Sequence, residues 1–365
     1  MRFPGFEGEW ERKKLGDIAK ITKGVGIPKS QLSEHGLPCI LYGELYTKYK
    51  SEIISEVFSL TNLNTKKLVK SKSNDVLIPS SGETAIDIST ARYVPYDNIL
   101  LGGDLNIIRL KNGNGLFFSY QLNGKRKLDI AKIAQGISVV HLYADKLKKL
   151  DIYYPKIAEQ KKISTFISLI DKRIQTQMKI IEELEKSLKG YCQLLIKSKV
   201  PNKKLRDCVY CYSSTLKGTD VLEKNEKYPV YGASGIIAYI STYQANENAI
   251  LIVKDGSGVG NVQYSENEFS IIGTLNYLKS KQGVNLKYVF YCLKYFDFQK
   301  YKVGSGIPHI YFKDYGEALI FCPSLQEQKG IEKMLSAMDR KLNIEKSLLI
   351  SYQQQKKYLL QNLFI

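Results

Sequence analysis

The chain has 365 residues, of which 44% are hydrophobic and 25% charged, and this composition excludes collagen-like, disordered and disulfide-stapled proteins. A single hydrophobic core stops growing near ~250 residues, so the length predicts at least two domains. The charge is unusual, because 54 Lys and Arg against 36 Asp and Glu leave a formal net charge of +18. An excess this large indicates a polyanionic partner, and nucleic acid is the leading candidate.

The sequence contains no apolar run near the ~20 residues that cross a bilayer, and its first residues lack the apolar core of a secretory signal. Its six scattered cysteines are typical of reduced thiols. We therefore expect a cytoplasmic protein without a membrane partner. Cys208 and Cys211 have the spacing of metal ligands, but a structural zinc site needs a second ligand pair, so no metal site is predicted.

Two segments have the pattern of mixed α/β domains, and each is followed by a segment with helical periodicity. Short β-rich runs such as 249–253 are bounded by Gly, Asn and Asp, and a helix is predicted around 286–294. The predicted fold class is therefore α/β (α+β), with two mixed domains joined by two long helices. In chain order the segments are domain 1 (1–154), the first long helix (155–200), domain 2 (201–322) and the second long helix (323–365).

Apolar residues in both helical segments recur at alternating steps of three and four, the pattern of a helix that packs against another helix. A helix of ~40 residues is ~60 Å long, so the second helix must run back along the first to pack on it, and we predict an antiparallel coiled-coil pair between two distant domains. The predicted helix-pair residues are Ile167, Ile170, Ile174, Ile181, Leu184 and Leu188 in the first helix, and Leu335, Met338, Leu342, Leu349, Tyr352 and Leu359 in the second.

Polar residues interrupt both stripes. Gln177 and Glu345 stand at matching positions, and Lys356 interrupts the second stripe again. Gln177 and Glu345 are either tolerated polar residues near the surface of the pair or a polar layer that fixes its register.

The chain repeats itself, and the repeat has no gap from Gly136 onwards. The motif Pro-x-x-x-Glu-Gln-Lys-x-Ile begins at Pro155 and again at Pro323, 168 residues later. Weaker matches continue towards the N-terminus with larger offsets, so that the first copy carries about 16 extra residues before Gly82 and six after it. The matched positions include His141 with His309 (168), Asp104 with Thr274 (170), Gly82 with Gly256 (174) and Leu15 with Leu205 (190). The repeat therefore predicts an internal symmetry that relates the two halves of the chain.

Two loops are candidates for binding phosphate. The glycine-rich run 255–260 follows a predicted strand but lacks the remaining elements of a nucleotide-binding motif, so we interpret it as a hairpin or a loop that approaches a DNA backbone. The matching run 79–84 is rich in hydroxyl groups, which suit phosphate or base-edge contacts as well as a simple polar turn. No set of catalytic residues is repeated around the matching histidines His141 and His309. Each is therefore either a polar residue that contacts DNA bases or a buried histidine with its hydrogen bonds satisfied.

Positive charge is spread over all four segments, which favours an elongated surface along a duplex, although a lysine-rich surface alone would give the same balance. The candidate DNA contacts come from polar loops. In the first copy they are Lys23, Lys29, Tyr42, Glu44, Tyr46, Ser80, Ser81, Thr84 and Arg92, and in the second copy they are Lys217, Tyr231, Ser234, Lys254, Ser257, Ser305 and His309.

Together these residues resemble the specificity (S) subunit of type I restriction–modification systems. The resemblance is carried by Trp10 with Leu15-Gly16-Asp17-Ile18, by Tyr228-Pro229-Val230-Tyr231-Gly232 with Gly235, and by the doubled Glu-Gln-Lys motif. The second copy has no tryptophan at the position of Trp10, although Leu205, which matches Leu15, keeps an apolar anchor in its opening segment. The resemblance covers essentially the whole chain.

The resemblance implies that each domain is a target-recognition domain that reads one part of a split, double-stranded DNA sequence. It implies that the helix pair sets the spacer and docks two methyltransferase subunits, and that the chain itself is not an enzyme. S-adenosylmethionine, ATP and Mg are then cofactors of partner subunits, and the presence of two restriction subunits is left open.

The two copies differ widely before Gly82 and its counterpart, so we expect unlike half-sites and an asymmetric bipartite target. The alternatives are a scaffold that binds proteins through its coiled coil without DNA, and the specificity subunit of a methylation-only system.

Overall fold

The fold is described from a computed structural model, which describes residues 3–63, 67–221 and 226–364. The chain divides into unit 1, formed by Met1–Met178 with Leu348–Ile365, and unit 2, formed by Lys179–Ser347. Each long helix therefore contributes one end to each unit. Among the described residues, no helix combines the length and apolar character needed to cross a membrane.

Unit 1 begins with short strands and helices. Its strands are β1 (Glu11–Lys14), β2 (Ala19–Lys23), β3 (Leu32–Ser33), β4 (Leu37–Ile40), β5 (Ser59–Thr61), β6 (Val69–Lys70), β7 (Asp75–Pro79), β8 (Ser81–Gly82), β9 (Arg92–Val94), β10 (Leu100–Leu101), β11 (Leu105–Leu110), β12 (Val140–His141) and β13 (Asp151–Tyr154). Its helices are α1 (Leu15–Ile18), α2 (Glu44–Thr47), α3 (Ala85–Ile88), α4 (Gly115–Asn123), α5 (Lys127–Ile133) and α6 (Ala144–Lys148).

Two sheets form the body of unit 1. One is antiparallel in the order β2-β11-β7-β9, and the other has the order β3-β5-β4-β10-β6 with β4 and β10 parallel. Strand β7 is buried along its whole length because both of its faces are covered. The core combines Trp10 and Phe117 of the domain with Leu363 and Phe364 at the end of the chain.

The first long helix, α7 (Ile157–Cys192), begins in unit 1, ends in unit 2 and continues as a π-helical turn, Gln193–Lys197. The strands of unit 2 are β14 (Lys203–Lys204), β15 (Val209–Ser213), β16 (Tyr228–Gly232), β17 (Gly235–Ile240), β18 (Ala249–Val253), β19 (Val262–Ser265), β20 (Ser270–Ile271), β21 (Leu275–Ser280) and β22 (Leu319–Ile320). The remaining helices are α8 (Leu205–Cys208), α9 (Leu286–Lys294), α10 (Phe312–Tyr315) and the second long helix, α11 (Leu325–Asn362).

The topology of unit 2 repeats that of unit 1. Its antiparallel sheet has the order β15-β21-β18-β19, strand for strand the order of the sheet in unit 1. Its second sheet has the order β17-β16-β20 with a parallel β16–β20 pair, and lacks counterparts of β3 and β6 among the described residues. The additional strands of unit 1 lie in the stretch where the sequence predicts extra residues in the first copy.

The two long helices are antiparallel within each unit. In unit 1, Lys356 pairs with Asp171, while Leu363 and Phe364 share a cluster with Ile163 and Ile167. In unit 2, Lys346 pairs with Glu185, and Asp339 interacts electrostatically with Cys192. Higher numbers in α11 thus face lower numbers in α7.

The predicted fold class is confirmed, with two mixed domains, two long antiparallel helices and an internal repeat. The local predictions at 249–253 and 286–294 coincide with β18 and α9. The glycine-rich run 255–260 lies in a hairpin, since it connects the antiparallel strands β18 and β19. The limits of the four segments stay a prediction, because both units share the long helices.

Candidate nucleic-acid interface

Three distant stretches of unit 1 meet at the end of β7. The backbone N–H of Ser80 donates to the carbonyl of Asp104 (2.7 Å), and the N–H of Leu142 donates to the carbonyl of Ser80 (2.9 Å). Strand β8 pairs with β12, which places His141 opposite Ser81. We call this arrangement junction 1, and its residues are Ser80, Ser81, Gly82, Asp104 and His141.

Unit 2 has the same arrangement at the end of β18. The N–H of Lys254 donates to the carbonyl of Thr274 (2.9 Å), and the N–H of Ile310 donates to the carbonyl of Lys254 (2.9 Å). Asp255 and His309 form an antiparallel bridge. We call this arrangement junction 2, and its residues are Lys254, Asp255, Gly256, Thr274 and His309.

The two junctions explain why the offset of the repeat drifts. Their residues are 174, 170 and 168 positions apart in the sequence, yet they make corresponding backbone hydrogen bonds. The insertions that change the offset therefore lie between the segments that meet, and leave the junction itself intact. The backbone is held constant while the side chains differ.

The side chains of junction 2 carry charge. Asp255 Oδ1 lies 2.6 Å from Nδ1 of His309, and both side chains are partly exposed. A carboxylate at this distance favours the proton on Nδ1, which leaves Nε2 to accept a hydrogen bond from an outside group. Lys254 adds a cation, so junction 2 can bind phosphate and also hydrogen-bond to a base edge.

Junction 1 has serines at the positions of the lysine and the carboxylate, and its exposed polar side chains are those of Asp104 and His141. Ser80 and Ser81 are both mostly buried, whereas His141 is exposed and its ring lies 6.1 Å from that of Tyr143. Tyr46 also reaches this region, since its hydroxyl would lie 3.4 Å from a Cβ on Gly82. Burial and the neighbouring Tyr42 raise the pKa of Tyr46, so its phenol remains a hydrogen-bond donor.

Other candidates of the first copy surround junction 1 or lie on separate loops. Lys23 is exposed at the end of β2, and the next residue, Gly24, bonds to Leu105 beside Asp104. Thr84 is exposed and caps α3. Lys29 is exposed on the 3-10 turn Lys29–Gln31.

Arg92 and Glu44 are turned inward rather than towards solvent. Arg92 is 8% exposed, and its guanidinium donates to the carbonyls of Leu45 (2.9 Å) and Tyr49 (2.7 Å). Glu44 is 5% exposed, accepts from the N–H of Leu41 (3.0 Å) and binds Lys48 and Ser59. The sequence predicts both as DNA contacts on polar loops, but Glu44 lies in α2 and Arg92 in β9, and their charged groups bond within the domain. We therefore assign neither residue to the DNA interface.

In the second copy, the candidates near junction 2 are Lys217, Ser257 and Ser305, all exposed. Lys217 follows Leu216, whose carbonyl accepts from Gly273 beside Thr274. Ser234 is exposed between β16 and β17, and Tyr231 is half-buried against Phe269, with the ring centroids 6.2 Å apart. Tyr231 therefore contributes to the core as well as to the surface.

The residues chosen for the helix pair are all shielded to some degree. Their individual contacts across the pair stay a prediction. The buried ones are Ile167, Ile170, Ile181, Leu188, Leu335 and Leu342, and the partly buried ones are Ile174, Leu184, Met338, Leu349, Tyr352 and Leu359.

Gln160 and Gln328 bond the domains to the long helices. Both lie in the repeated motif, but the sequence did not predict their contacts. Gln160 accepts from the N–H of Asn114 (3.0 Å) and donates to the carbonyl of Pro155 (2.8 Å). Gln328 makes the equivalent bonds to Asn285 (2.8 Å) and Pro323 (2.8 Å). The doubled glutamine was the available signal, and its buried role explains why that position repeats.

Comparison with known proteins gives consistent matches. The chain matches the sequence profile of the type I restriction modification DNA specificity domain over residues 7–186 and again over 199–351. It is 25% identical over 127 residues to the type I restriction enzyme EcoprrI specificity subunit of Escherichia coli, which covers 34% of this chain and 32% of that protein. The chain thus spans about a third of that relative in the alignment.

Solved structures show the same fold. The S subunit of a type I restriction-modification system from M. genitalium superposes with a TM-score of 0.73 at 19% identity, covering 100% of this chain and 99% of that one. A structure described as the basis of complex assembly and conformational transition of the type I R-M system gives a TM-score of 0.55 at 15% identity, covering 97% of each chain.

Proposed function

Because the chain belongs to the type I restriction modification DNA specificity family, we propose that it selects the DNA sequence on which a type I restriction–modification complex acts. The observation that carries this proposal is the pair of junctions, which share backbone hydrogen bonds and differ in side chains. A conserved backbone arrangement can place different polar side chains against DNA, so that each unit recognises a different base sequence.

Each unit then reads one half of an asymmetric, bipartite site in duplex DNA. Junction 1 offers the exposed side chains of Asp104 and His141 with Lys23 nearby, whereas junction 2 offers a lysine and a carboxylate-bound histidine. Groups of such different charge favour different base edges, because each base pair presents its own pattern of donors and acceptors in the major groove.

The long helices set the unspecified spacer between the half-sites and dock two methyltransferase subunits. Support comes from their length and their antiparallel pairing within each unit. The reaction itself belongs to the partners, so S-adenosylmethionine, ATP and Mg are bound there. A methylation-only complex would use the same chain without restriction subunits.

Methylation mapping tests the proposal. The chain is co-expressed with its methyltransferase subunit in cells lacking other adenine methylation, and methylated adenines are located by sequencing. We expect one bipartite motif with unlike halves and a fixed spacer. A contiguous motif, or no methylation that depends on this chain, would contradict it.

The spacer function has its own test. Four residues inserted after Ile181, with a matching insertion in α11, lengthen each helix by ~6 Å, which corresponds to roughly two base pairs at 3.4 Å each. We expect both half-sites to be unchanged and the mapped spacer to lengthen. An unchanged spacer would show that the helices do not set it.

The salt dependence of duplex binding distinguishes the proposed function from a protein scaffold that does not bind DNA. Binding to a duplex should weaken as salt rises, because phosphate contacts release counterions. Absence of duplex binding at low salt, both with and without the methyltransferase subunit, would favour the scaffold.

A further inference from the structure

Each junction carries a short, mostly exposed loop whose apolar residues have no role in the proposed function. Loop 1 comprises residues 136–140 and loop 2 comprises residues 304–308. Reciprocal backbone hydrogen bonds close both loops, between Gln135 and His141 (2.9 and 2.7 Å) and between Val303 and His309 (2.9 and 2.8 Å). In each loop a single antiparallel pair of residues brings the two ends together, at positions that match in the repeat.

A glycine sets the shape of each loop. Gly136 has a φ of 127° and Gly304 a φ of 93°, which side chains rarely tolerate. A Cβ would lie 2.1 Å from the carbonyl oxygen of Val139 in loop 1 and 2.5 Å from that of Ile307 in loop 2. Both turns are therefore built around glycine rather than left irregular.

The tips of both loops are apolar and exposed. Ile137 is 98% exposed and Val139 is 52% exposed in loop 1, while Ile307 is 63% exposed in loop 2. Val139 and Ile307 occupy the same position of the repeat, and loop 2 has Ser305 where loop 1 has Ile137. Apolar side chains exposed on glycine-shaped turns are suited to contact with another molecule.

The surroundings of the loops favour DNA as that molecule. Each loop ends at the histidine of a junction, and an exposed tyrosine follows, Tyr143 in unit 1 and Tyr311 in unit 2. Lys313 lies over the ring of Tyr311, at 5.5 Å from its centroid. An apolar tip flanked by polar and cationic groups fits a base edge between phosphates better than it fits an apolar protein surface.

The width of the closed loop selects the groove. Two paired backbone segments lie ~4.8 Å apart before side chains are counted, so the closed loop fits the ~12 Å major groove and not the ~6 Å minor groove. Among the base edges of the major groove, the apolar group is the C5-methyl of thymine. We propose that loops 1 and 2 enter the major groove and that Ile137, Val139 and Ile307 recognise thymine methyl groups, one set in each half-site. This inference rests on the proposed function.

Replacing thymine by deoxyuridine tests the inference, because it removes the methyl group and leaves base pairing intact. The probe is a duplex with the mapped site, bound by the chain in complex with its methyltransferase subunit, and each thymine is replaced in turn. Loss of a buried methyl contact should weaken wild-type binding about fourfold at one thymine or more in each half-site.

Variants assign each thymine to a loop. With Ile307→Ser, binding should become insensitive to deoxyuridine in the half-site of unit 2 and stay sensitive in the other half-site. The double variant Ile137→Ser with Val139→Ser should show the converse. The control is Leu319→Ser on β22, which removes a leucine that is 55% exposed and should leave both sensitivities unchanged.

Each outcome has one meaning. The inference is overturned if no deoxyuridine weakens wild-type binding, or if the variants keep the sensitivity of wild type. A variant that loses methyltransferase binding instead identifies the loops as a protein-docking surface and also overturns it. If the wild-type complex does not distinguish the mapped duplex from an unrelated one, the proposed function itself fails.

Discussion

Units 1 and 2 hold equivalent aspartates in different ways. In unit 1, Asp171 binds Lys356 of the second long helix at 2.6 Å, and the same lysine also binds Glu52. In unit 2, the equivalent Asp339 binds Lys294 of α9 at 2.8 Å. The lysine is 14% exposed in unit 1 and 26% exposed in unit 2, so the charges of unit 1 are more deeply buried. The repeat therefore preserves the position of the carboxylate and exchanges its partner.

Burial changes the chemistry of the unit 1 cluster. Burial and the nearby Glu52 raise the pKa of Asp171, and the hydroxyl of Tyr120 donates to its Oδ2 at 2.5 Å. Burial alone would lower the pKa of Lys356, but Glu52 and Asp171 outweigh it and raise the pKa. The two carboxylates thus share Lys356 as an ion-pair partner, with the buried guanidinium of Arg92 as a further nearby cation. Loss of this shared lysine should destabilise unit 1 more than loss of Lys294 destabilises unit 2.

The largest predicted effect is on this cluster. Lys356→Met removes the shared ion-pair partner of two buried carboxylates and should destabilise unit 1 by about 3–5 kcal/mol. Lys294→Met removes a partly exposed pair and should cost about 1 kcal/mol. The measurement is urea unfolding followed by fluorescence of Trp10, the only tryptophan, whose ring lies 6.4 Å from that of Phe364.

Trp10 reports on unit 1, so Lys294→Met should leave its transition unchanged while circular dichroism shows the loss in unit 2. Lys357→Met, at an exposed neighbouring position, is the control for the charge change. Equal shifts for Lys356→Met and Lys294→Met would contradict the difference in burial.

The next largest effect, the loss of stability when a glutamine of the repeated motif is replaced, should be equal in the two units. Gln160→Leu and Gln328→Leu each leave one backbone N–H and one carbonyl without their partner, and each should cost about 2–3 kcal/mol. Thermal unfolding of the two variants tests whether the glutamine anchors are equivalent. A difference above about 1 kcal/mol would show that the anchors differ despite matching bonds.

A smaller effect should separate the junctions in DNA binding. Lys254→Ala removes a cation of junction 2 and should weaken binding several-fold and reduce the salt slope by about 1. Ser80→Ala, at the matching position of junction 1, should leave the slope unchanged. The measurement is a titration of the mapped duplex at several salt concentrations. An unaltered slope for Lys254→Ala would exclude a phosphate contact.

The smallest effect concerns the carboxylates that tie β1 to β13 in unit 1. Hydrogen bonds from Arg12 and Lys14 lower the pKa of Asp151 to about 2. A lowered pKa stabilises the fold above the unfolded value of ~3.9, and this contribution is lost as the pH falls through about 2. Asp151→Asn should therefore lower Tm slightly at pH 7, with the difference from wild type disappearing near pH 2.

Glu317 of unit 2 tests whether the units share this feature. Lys204 and Arg206 lower the pKa of Glu317, as the two cations do for Asp151. Because its pKa is also lowered, Glu317→Gln should likewise lower Tm at pH 7, and this difference from wild type should disappear at acidic pH. Both effects should be small, because solvent screens these exposed groups. A shift in Tm that stays constant from pH 7 to pH 2 would show that charge is not the cause.

Local pattern predicted much of the architecture. The long helices were predicted from apolar spacing, and β18 and α9 from short runs bounded by turn residues. The doubled Glu-Gln-Lys motif identified the family, and its glutamines are the residues that bind the domains to the helices. These features were predictable because periodicity and turn chemistry are decided within a few residues.

Side-chain direction in the loops was not predictable in the same way. In the sequence, Arg92 and Glu44 stand in polar segments like those of the exposed loop residues. In the structure, however, Arg92 bonds to carbonyls 43 and 47 positions away. Lys356 broke an apolar stripe, and nothing near it identified Glu52, which is 304 positions distant. Whether a charge faces inward depends on partners that folding brings from elsewhere.

The sequence by itself determined that this chain is a doubled domain with two long helices, that it belongs to a DNA specificity family and that its halves differ. Only the tertiary structure decided which residues form each junction, since three separate segments must meet before their side chains share a surface. The physical reason is that secondary structure follows from short-range spacing, whereas a binding surface follows from contacts between distant segments.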